Sequence, residues 1–240
     1  MLPWIVVDCN YICHVAKYKL DGLSFHEKKT GVIFGFLRSV LDFSETFHSK
    51  RFVFCWDSKV SIRKAIYPEY KNKRNGDKTE EEKERDAIAN EQFNAIRQYI
   101  LPTMGFRNIF EQEGYESDDI IASVIQSLKK EKTILVANDK DLYQLLDHCV
   151  IWNPTKKEYY SIQDFEAEWG VPPSMWADVK AIAGCTTDCV EGVKGIGEKT
   201  AIKYLKGELT KGIAHSRIVS EEGQSIIQRN SVLVRLPFNG

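Results

Sequence analysis

Long apolar runs are missing from this chain. No stretch approaches the ~18 to 20 residues that a membrane helix needs, and Met1-Leu2-Pro3-Trp4 offers no charged segment ahead of a long apolar one. Residence in the cytoplasm, with no membrane partner, is the expectation. A dense cysteine framework is missing too: the six cysteines, Cys9, Cys13, Cys55, Cys149, Cys185 and Cys189, stand in apolar or motif-like stretches. Reduced thiols are expected, and because no His-Cys set stands at finger spacing, a Cys-x3-Cys zinc site is the minor alternative. Net charge is nearly absent at -1, yet from Lys59 to Arg74 six basic residues face one acid, Glu69, so a nucleic-acid surface can hide in the average. The 240 residues allow one large domain, or one with a small appendage.

What is present alternates. Trp4 to Val7, Phe52 to Trp56 and Thr133 to Ala137 are short apolar runs that read as buried strands, with further strands expected at Phe106–Phe110 and Cys149–Trp152. Helical spacing predicts a helix from about Gly31 to Phe47, another through Ala87, Phe93 and Ile100 to Pro102, one after Ser117 and one to Leu146. Strands alternating with helices imply α/β, a doubly wound, mainly parallel sheet. From Ser58 to about Glu84 the apolar periodicity disappears, and a long exposed excursion is expected, either functional or a solvated charged loop.

In such sheets, sites form beyond the carboxyl ends of the strands. Asp8, Asp57, Asp139 and Asp141 stand at such ends, and Glu116, Asp118 and Asp119 open a helix after another. An acidic first turn alone is explained equally well by the helix dipole. Converging carboxylates are another matter, because two unit charges ~4 Å apart repel by about 4 kcal/mol at an effective dielectric near 20. Such a cluster needs cations or protons, and oxygen ligands without a nearby His favour Mg2+ or Mn2+, two such ions being the usual machinery for displacing a phosphodiester oxygen.

A second signature runs from Gly192 to Ala201, Gly-Val-Lys-Gly-Ile-Gly-Glu-Lys-Thr-Ala. Glycines at this spacing let backbone N–H groups approach a phosphate at a helix start, reading one strand's backbone and not its bases. The helix through Met175, Trp176, Val179 and Ile182 precedes it and completes a small helical module.

Taken together, Val7-Asp8-Cys9-Asn10, Trp56-Asp57, Tyr70-Lys71-Asn72-Lys73-Arg74, Glu116-Ser117-Asp118-Asp119, Asn138-Asp139-Lys140-Asp141 and the glycine hairpin resemble, in this order, the 5′ nuclease superfamily. That superfamily holds flap endonucleases, phage 5′-3′ exonucleases and the 5′ nuclease domain of bacterial DNA polymerase I. The resemblance implies a PIN-like nuclease core over residues 1–165, with a helical arch at 58–86, and a helix-three-turn-helix (helix-hairpin-helix) DNA-binding module over 166–240. It implies Asp8, Asp57, Glu116 and Asp118 around one ion, with Asp119, Asp139, Asp141 and Asp188 at or toward a second. Lys71 and Arg74 would meet the scissile phosphate and Tyr70 would stack on a base. Gly192, Lys194, Gly195, Gly197, Lys199 and Thr200, with Arg63 and Lys73, would hold DNA, and a K+ ion would sit at the hairpin. The implied protein is a monomer in bacterial or, if viral, host cytoplasm, acting on DNA with 5′ ends, flaps or junctions, and on RNA–DNA hybrids when primers are removed in replication or repair. One departure stands out: Cys185 occupies a position where the family commonly has Asp. Two readings follow, a metal-dependent 5′ nuclease and a branched-DNA binding protein with weakened catalysis, and the retained carboxylates with Lys71 favour the enzyme. Cys185 itself is read either as a poor ligand for Mg2+ or as a small buried hydrophobe.

Overall fold

A computed structural model gives the structure and describes residues 2–72, 76, 78–128 and 131–238. Strand β1 (Trp4–Asp8) lies mid-sheet because Ile5, Val6 and Val7 are apolar toward either face and fully buried. Helix α1 (Cys9–Lys19) follows at once, its first turn capped by the Asp8 carboxylate, which accepts from the Tyr11 N–H at 3.1 Å. A small hairpin, β2 (Ser24–Phe25) and β3 (Lys28–Lys29), leads to α2 (Gly31–Thr46). Strand β4 (Phe52–Cys55) pairs parallel with β1.

The excursion that follows is less exposed than its charge suggests. It holds a short helix, α3 (Arg63–Ile66), then joins α4 (Glu80–Ala95), whose start is fixed by a Thr79/Glu82 capping box and three glutamates in its first turn. Arg63 and Tyr70 are buried. Helix α4 continues through a wider turn at Ile96–Ile100 into α5 (Leu101–Thr103). There the Leu101 N–H reaches back to Ile96 O, as expected where Pro102 lacks an N–H and its ring displaces the preceding turn. Gln92 on α4 caps α2 from outside, its Oε1 accepting from Val32 and Ile33 at 3.1 and 3.2 Å.

Next come β5 (Ile109–Phe110), α6 (Ser117–Ser127) and β6 (Thr133–Val136), then a 3-10 turn at Lys140–Leu145 where an α-helix was expected. Strands β7 (Val150–Asn153) and β8 (Glu158–Tyr160) close the sheet, whose order among the described residues is β5-β4-β1-β6-β7-β8. All neighbours are parallel except β8, which runs antiparallel to β7. Sequence direction reverses about β1, with β4 on one side and β6 on the other, so a crevice opens at the carboxyl ends of these strands.

Helices α7 (Ile162–Trp169) and α8 (Trp176–Ala183) follow, then the hairpin of β9 (Gly184–Cys185) and β10 (Val190–Glu191), α9 (Glu198–Leu205), α10 (Ile213–Val219) and α11 (Glu221–Val234). Much of this second half shares a core with the sheet. One buried cluster runs from Ile121, Leu135 and Leu142 to Trp176, Ile182, Ile202 and Ile218. No helix among the described residues is long and apolar enough to cross a membrane, and all six cysteines are free thiols.

Candidate metal centre and nucleic-acid interface

Backbone amides aim the carboxylates into the crevice. Asp8 is held by capping α1 and Asp57 is held at both ends: its N–H donates to Asn10 Oδ1 at 3.1 Å and its Oδ1 accepts from the Ser117 N–H at 2.7 Å. Asp139 Oδ1 accepts from the Asp141 N–H at 2.8 Å. Glu116 caps α6, and its Oε2 receives Lys71 Nζ at 2.6 Å and Tyr70 Oη at 2.9 Å. Asp188 joins them, with Oδ2 3.2 Å from Tyr70 Oη and Oδ1 3.7 Å from Lys71 Nζ. Asn10 and Ser117, which orient Asp57, lie inside the motifs yet did not stand out as functional, because their contribution is geometric.

Electrostatics mark the same place. Burial, then Asp57 and Asp139, raises the Asp8 carboxyl from 3.8 to about 7. Asp118 is pushed well above the usual carboxylate range by burial and by Asp139 and Asp8. Asp139 is raised by crowding protein atoms and by Asp141. Lys71 opposes all three shifts. Its backbone lies in the left-handed region at φ +54°, a conformation costing about 1 kcal/mol for a residue with a side chain, and its N–H is tied to Asp188 O at 2.8 Å. The chain thus spends strain to bring an ammonium to the crevice.

A second set lies alongside. Ligand atoms of Asp141, Cys185 and Asp188 fall within 4.8 Å of one another. Cys185 Sγ is 3.3 Å from Asp141 Oδ2 and 3.0 Å from Thr187 Oγ1, and Lys180 Nζ is 3.2 Å from Asp141 Oδ1. Burial and the two aspartates push the Cys185 thiol up to about 12. Lys180, itself buried, gave no signal in the sequence.

Three expected roles change. Asp119 is not available to an ion: both of its oxygens accept from the Arg63 guanidinium, at 2.6 and 2.7 Å, and they also accept from the Glu116 N–H at 3.1 Å and the Phe238 N–H at 2.9 Å. With 1 % of its surface exposed, its acceptor capacity is used up. Arg63 is correspondingly no DNA contact, since it is 2 % exposed, donates Nε to Leu233 O at 2.8 Å and stacks over Phe238. Tyr70 does not present its ring to a base, because the ring packs with Ala181, Cys185, Val190 and Leu233 while its hydroxyl serves Glu116 and Asp188. Lys73 and Arg74 lie outside the described residues.

The glycine hairpin separates into support and surface. A Cβ on Gly192 would meet the Ala183 carbonyl at 2.2 Å, so this glycine serves close packing. Val193 and Ile196 anchor the loop in the core, and the Val193 N–H donates to Ile182 O at 2.8 Å. Lys194, Gly195, Gly197 and Lys199 remain exposed, with Gly195 at φ +75° and Thr200 half-buried in the first turn of α9. A groove of about 830 Å³ runs from the hairpin to Tyr67, Glu69 and Asn72 at the foot of the excursion.

The oxygen-rich crevice has the donor chemistry of a hard divalent ion, and its raised carboxyls are those of a cluster lacking sufficient positive charge. The mixed Asp141–Cys185–Asp188 set also fits a divalent ion, of softer character.

Residues 3–170 match the family described as 5′-3′ exonuclease, N-terminal resolvase-like domain. A 5′-3′ exonuclease of Buchnera aphidicola is 28% identical over 212 residues, covering 85% of this chain and 70% of that protein. The thermostable DNA polymerase I of Thermus thermophilus is 30% identical over 207 residues, covering 84% of this chain but 24% of the polymerase. Among solved structures, the bacteriophage T5 D15 flap endonuclease, in a pseudo-enzyme–product complex with DNA and metal ions, superposes with a TM-score of 0.81 at 22% identity, covering 98% of this chain and 89% of that one.

Proposed function

The chain belongs to the 5′-3′ exonuclease family, and from that premise we propose that it is a structure-specific nuclease hydrolysing phosphodiester bonds of DNA at 5′ ends, flaps or junctions. The observation that carries this reading is the convergence of Asp8, Asp57, Glu116, Asp118 and Asp139 on one crevice with Lys71 opposing their charge. Asp8, Asp57, Glu116 and Asp118 would hold one divalent ion, and Asp139, Asp141 and Asp188 a second, with Mg2+ or Mn2+ suited to the first. Bound there, such an ion would make the attacking water more acidic and offset charge on the leaving oxygen.

The chain's own residues do the rest. Asn10 and Ser117 orient Asp57. Lys71 leaves Glu116 for the scissile phosphate, where a cation is worth most as charge develops. Lys194, Gly195, Gly197, Lys199 and Thr200 hold the duplex through its backbone, with a K+ ion at the hairpin, so residues 166–240 act as the anchoring module and 58–86 as the arch. The protein works as a cytoplasmic monomer, with RNA–DNA hybrids among its substrates.

The deciding experiment offers the purified protein a 5′-flap, a single strand and a blunt duplex, with Mg2+ and with chelator. Metal-dependent cleavage of the flap ahead of the other two is expected; binding of the flap without cleavage in Mg2+ or Mn2+ would replace the enzyme with a branched-DNA binding protein.

A further inference from the structure

Cys185 is 4 % exposed, yet its sulfur is turned toward the acidic crevice, at 3.3 Å from Asp141 Oδ2 and within the 4.8 Å set completed by Asp188. We propose that Cys185 makes the Asp141–Cys185–Asp188 position a mixed thiolate–carboxylate site whose preferred ion is of borderline softness, Zn2+ above all, in place of Mg2+. The proposal rests on reading the neighbouring crevice as a metal centre, and concerns which ion this chain's own ligands select.

Mg2+ demands oxygen donors in near-octahedral array and gains little from sulfur, whereas Zn2+ takes three protein ligands of mixed sulfur and oxygen type and leaves a fourth position for water. When the ion binds, an S–M bond forms and the thiol proton leaves to solvent; no electrons change hands. Charge is then balanced by the surroundings. Two carboxylates and a thiolate around a divalent ion leave one net negative charge, and the buried ammonium of Lys180, 3.2 Å from Asp141 Oδ1, offsets it. Thr187 Oγ1, 3.0 Å from the sulfur, is placed to donate to the thiolate once its proton has gone. The apolar neighbours of Cys185, including Val190 and Leu233, limit water around the sulfur and strengthen its bond to a metal.

The test is a titration of the metal-free protein with Co2+, read by the near-ultraviolet absorption of thiolate-to-cobalt charge transfer. The expected band saturates at one equivalent in wild type and in Cys189→Ser, and is absent from Cys185→Ser and Cys185→Asp. One equivalent of Zn2+ bleaches it and Mg2+ in large excess does not. Competition against a chelator should show Zn2+ affinity lower by at least about tenfold in Cys185→Asp, the loss expected when a soft ligand is exchanged for a hard one. No band in wild type, a band surviving in Cys185→Asp, or bleaching by Mg2+ overturns the proposal. Because the variants can misfold, zinc-edge X-ray absorption on the unmutated, zinc-loaded protein provides a second reading. One sulfur at about 2.3 Å is expected, and a shell of oxygen and nitrogen alone contradicts it. These readouts are independent of cleavage: Mg2+-dependent cleavage with no band defeats this inference alone, and a band without cleavage defeats the nuclease reading alone.

Discussion

Asp118 and Asp119 are adjacent carboxylates with opposite burdens. Asp118 faces like charges and is pushed well above the usual range, whereas Asp119 is neutralised by Arg63 and accepts from two backbone amides. Neutralising Asp118 therefore relieves repulsion, so Asp118→Asn should leave the metal-free protein as stable as wild type or about 1 kcal/mol more so. Arg63→Ala leaves a buried charge unpaired and should cost about 3 to 5 kcal/mol. Denaturant unfolding in chelator checks both, and equal effects would show that the two carboxylates are not divided in this way. Lys71→Ala should lower single-turnover cleavage by about 10² to 10³ while changing duplex affinity far less, since its charge acts on the transition state; a fall confined to affinity would remove Lys71 from the chemistry. The sequence made the aspartates at strand ends legible because their spacing follows the parallel sheet. It did not separate Asp119 from Asp118, because the partners that decide the matter, Arg63 and Phe238, lie 56 and 119 positions away.

At the scale of elements, the buried strands were legible as unbroken apolar runs, which is what burial on both faces demands. Helix α1 was not, since its inward side includes Lys17, tolerated there because Asp86 of α4 reaches across to pair with it. The charge of the excursion after β4 predicts an exposed stretch, yet Arg63 and Tyr70 turn inward to carboxylates that composition alone cannot locate. The glycine hairpin was legible as a unit, but only the structure distinguishes Gly192, packed on the Ala183 backbone, from Gly195, beside the Arg217 side chain, and Gly197, which has open space around it. Lys199→Ala should weaken duplex binding uniformly across sequences and reduce the salt slope by about 1, with turnover at saturation unchanged. An unchanged slope would detach the hairpin from the phosphate backbone.

For the whole molecule, the carboxylate cluster makes stability depend on pH. Asp8 rises from 3.8 to about 7, and Asp118 and Asp139 shift in the same direction. A folded-state carboxyl pKa above its unfolded value means that the folded protein holds the proton more tightly. The associated stability is present below the unfolded value and lost as pH rises through the folded one. In chelator, the melting temperature should therefore fall between about pH 4 and pH 7, and Mg2+ should suppress the fall by replacing the protons. A melting temperature that climbs steadily over this range in chelator would mean that the cluster is not under repulsion. The shared core that joins α8, α9 and α10 to the sheet ties the hairpin to the crevice, so a duplex bound at one would be placed relative to the other.

The most direct test of the account is single-turnover cleavage of one 5′-flap substrate by wild type and Asp118→Asn across a Mg2+ titration, with folding verified by circular dichroism. Wild type should cleave, lose activity in chelator and regain it with Mg2+, while Asp118→Asn should be slower by at least about 10³ at every concentration. Cleavage by Asp118→Asn at the wild-type rate would contradict the assignment of the crevice as the catalytic metal centre.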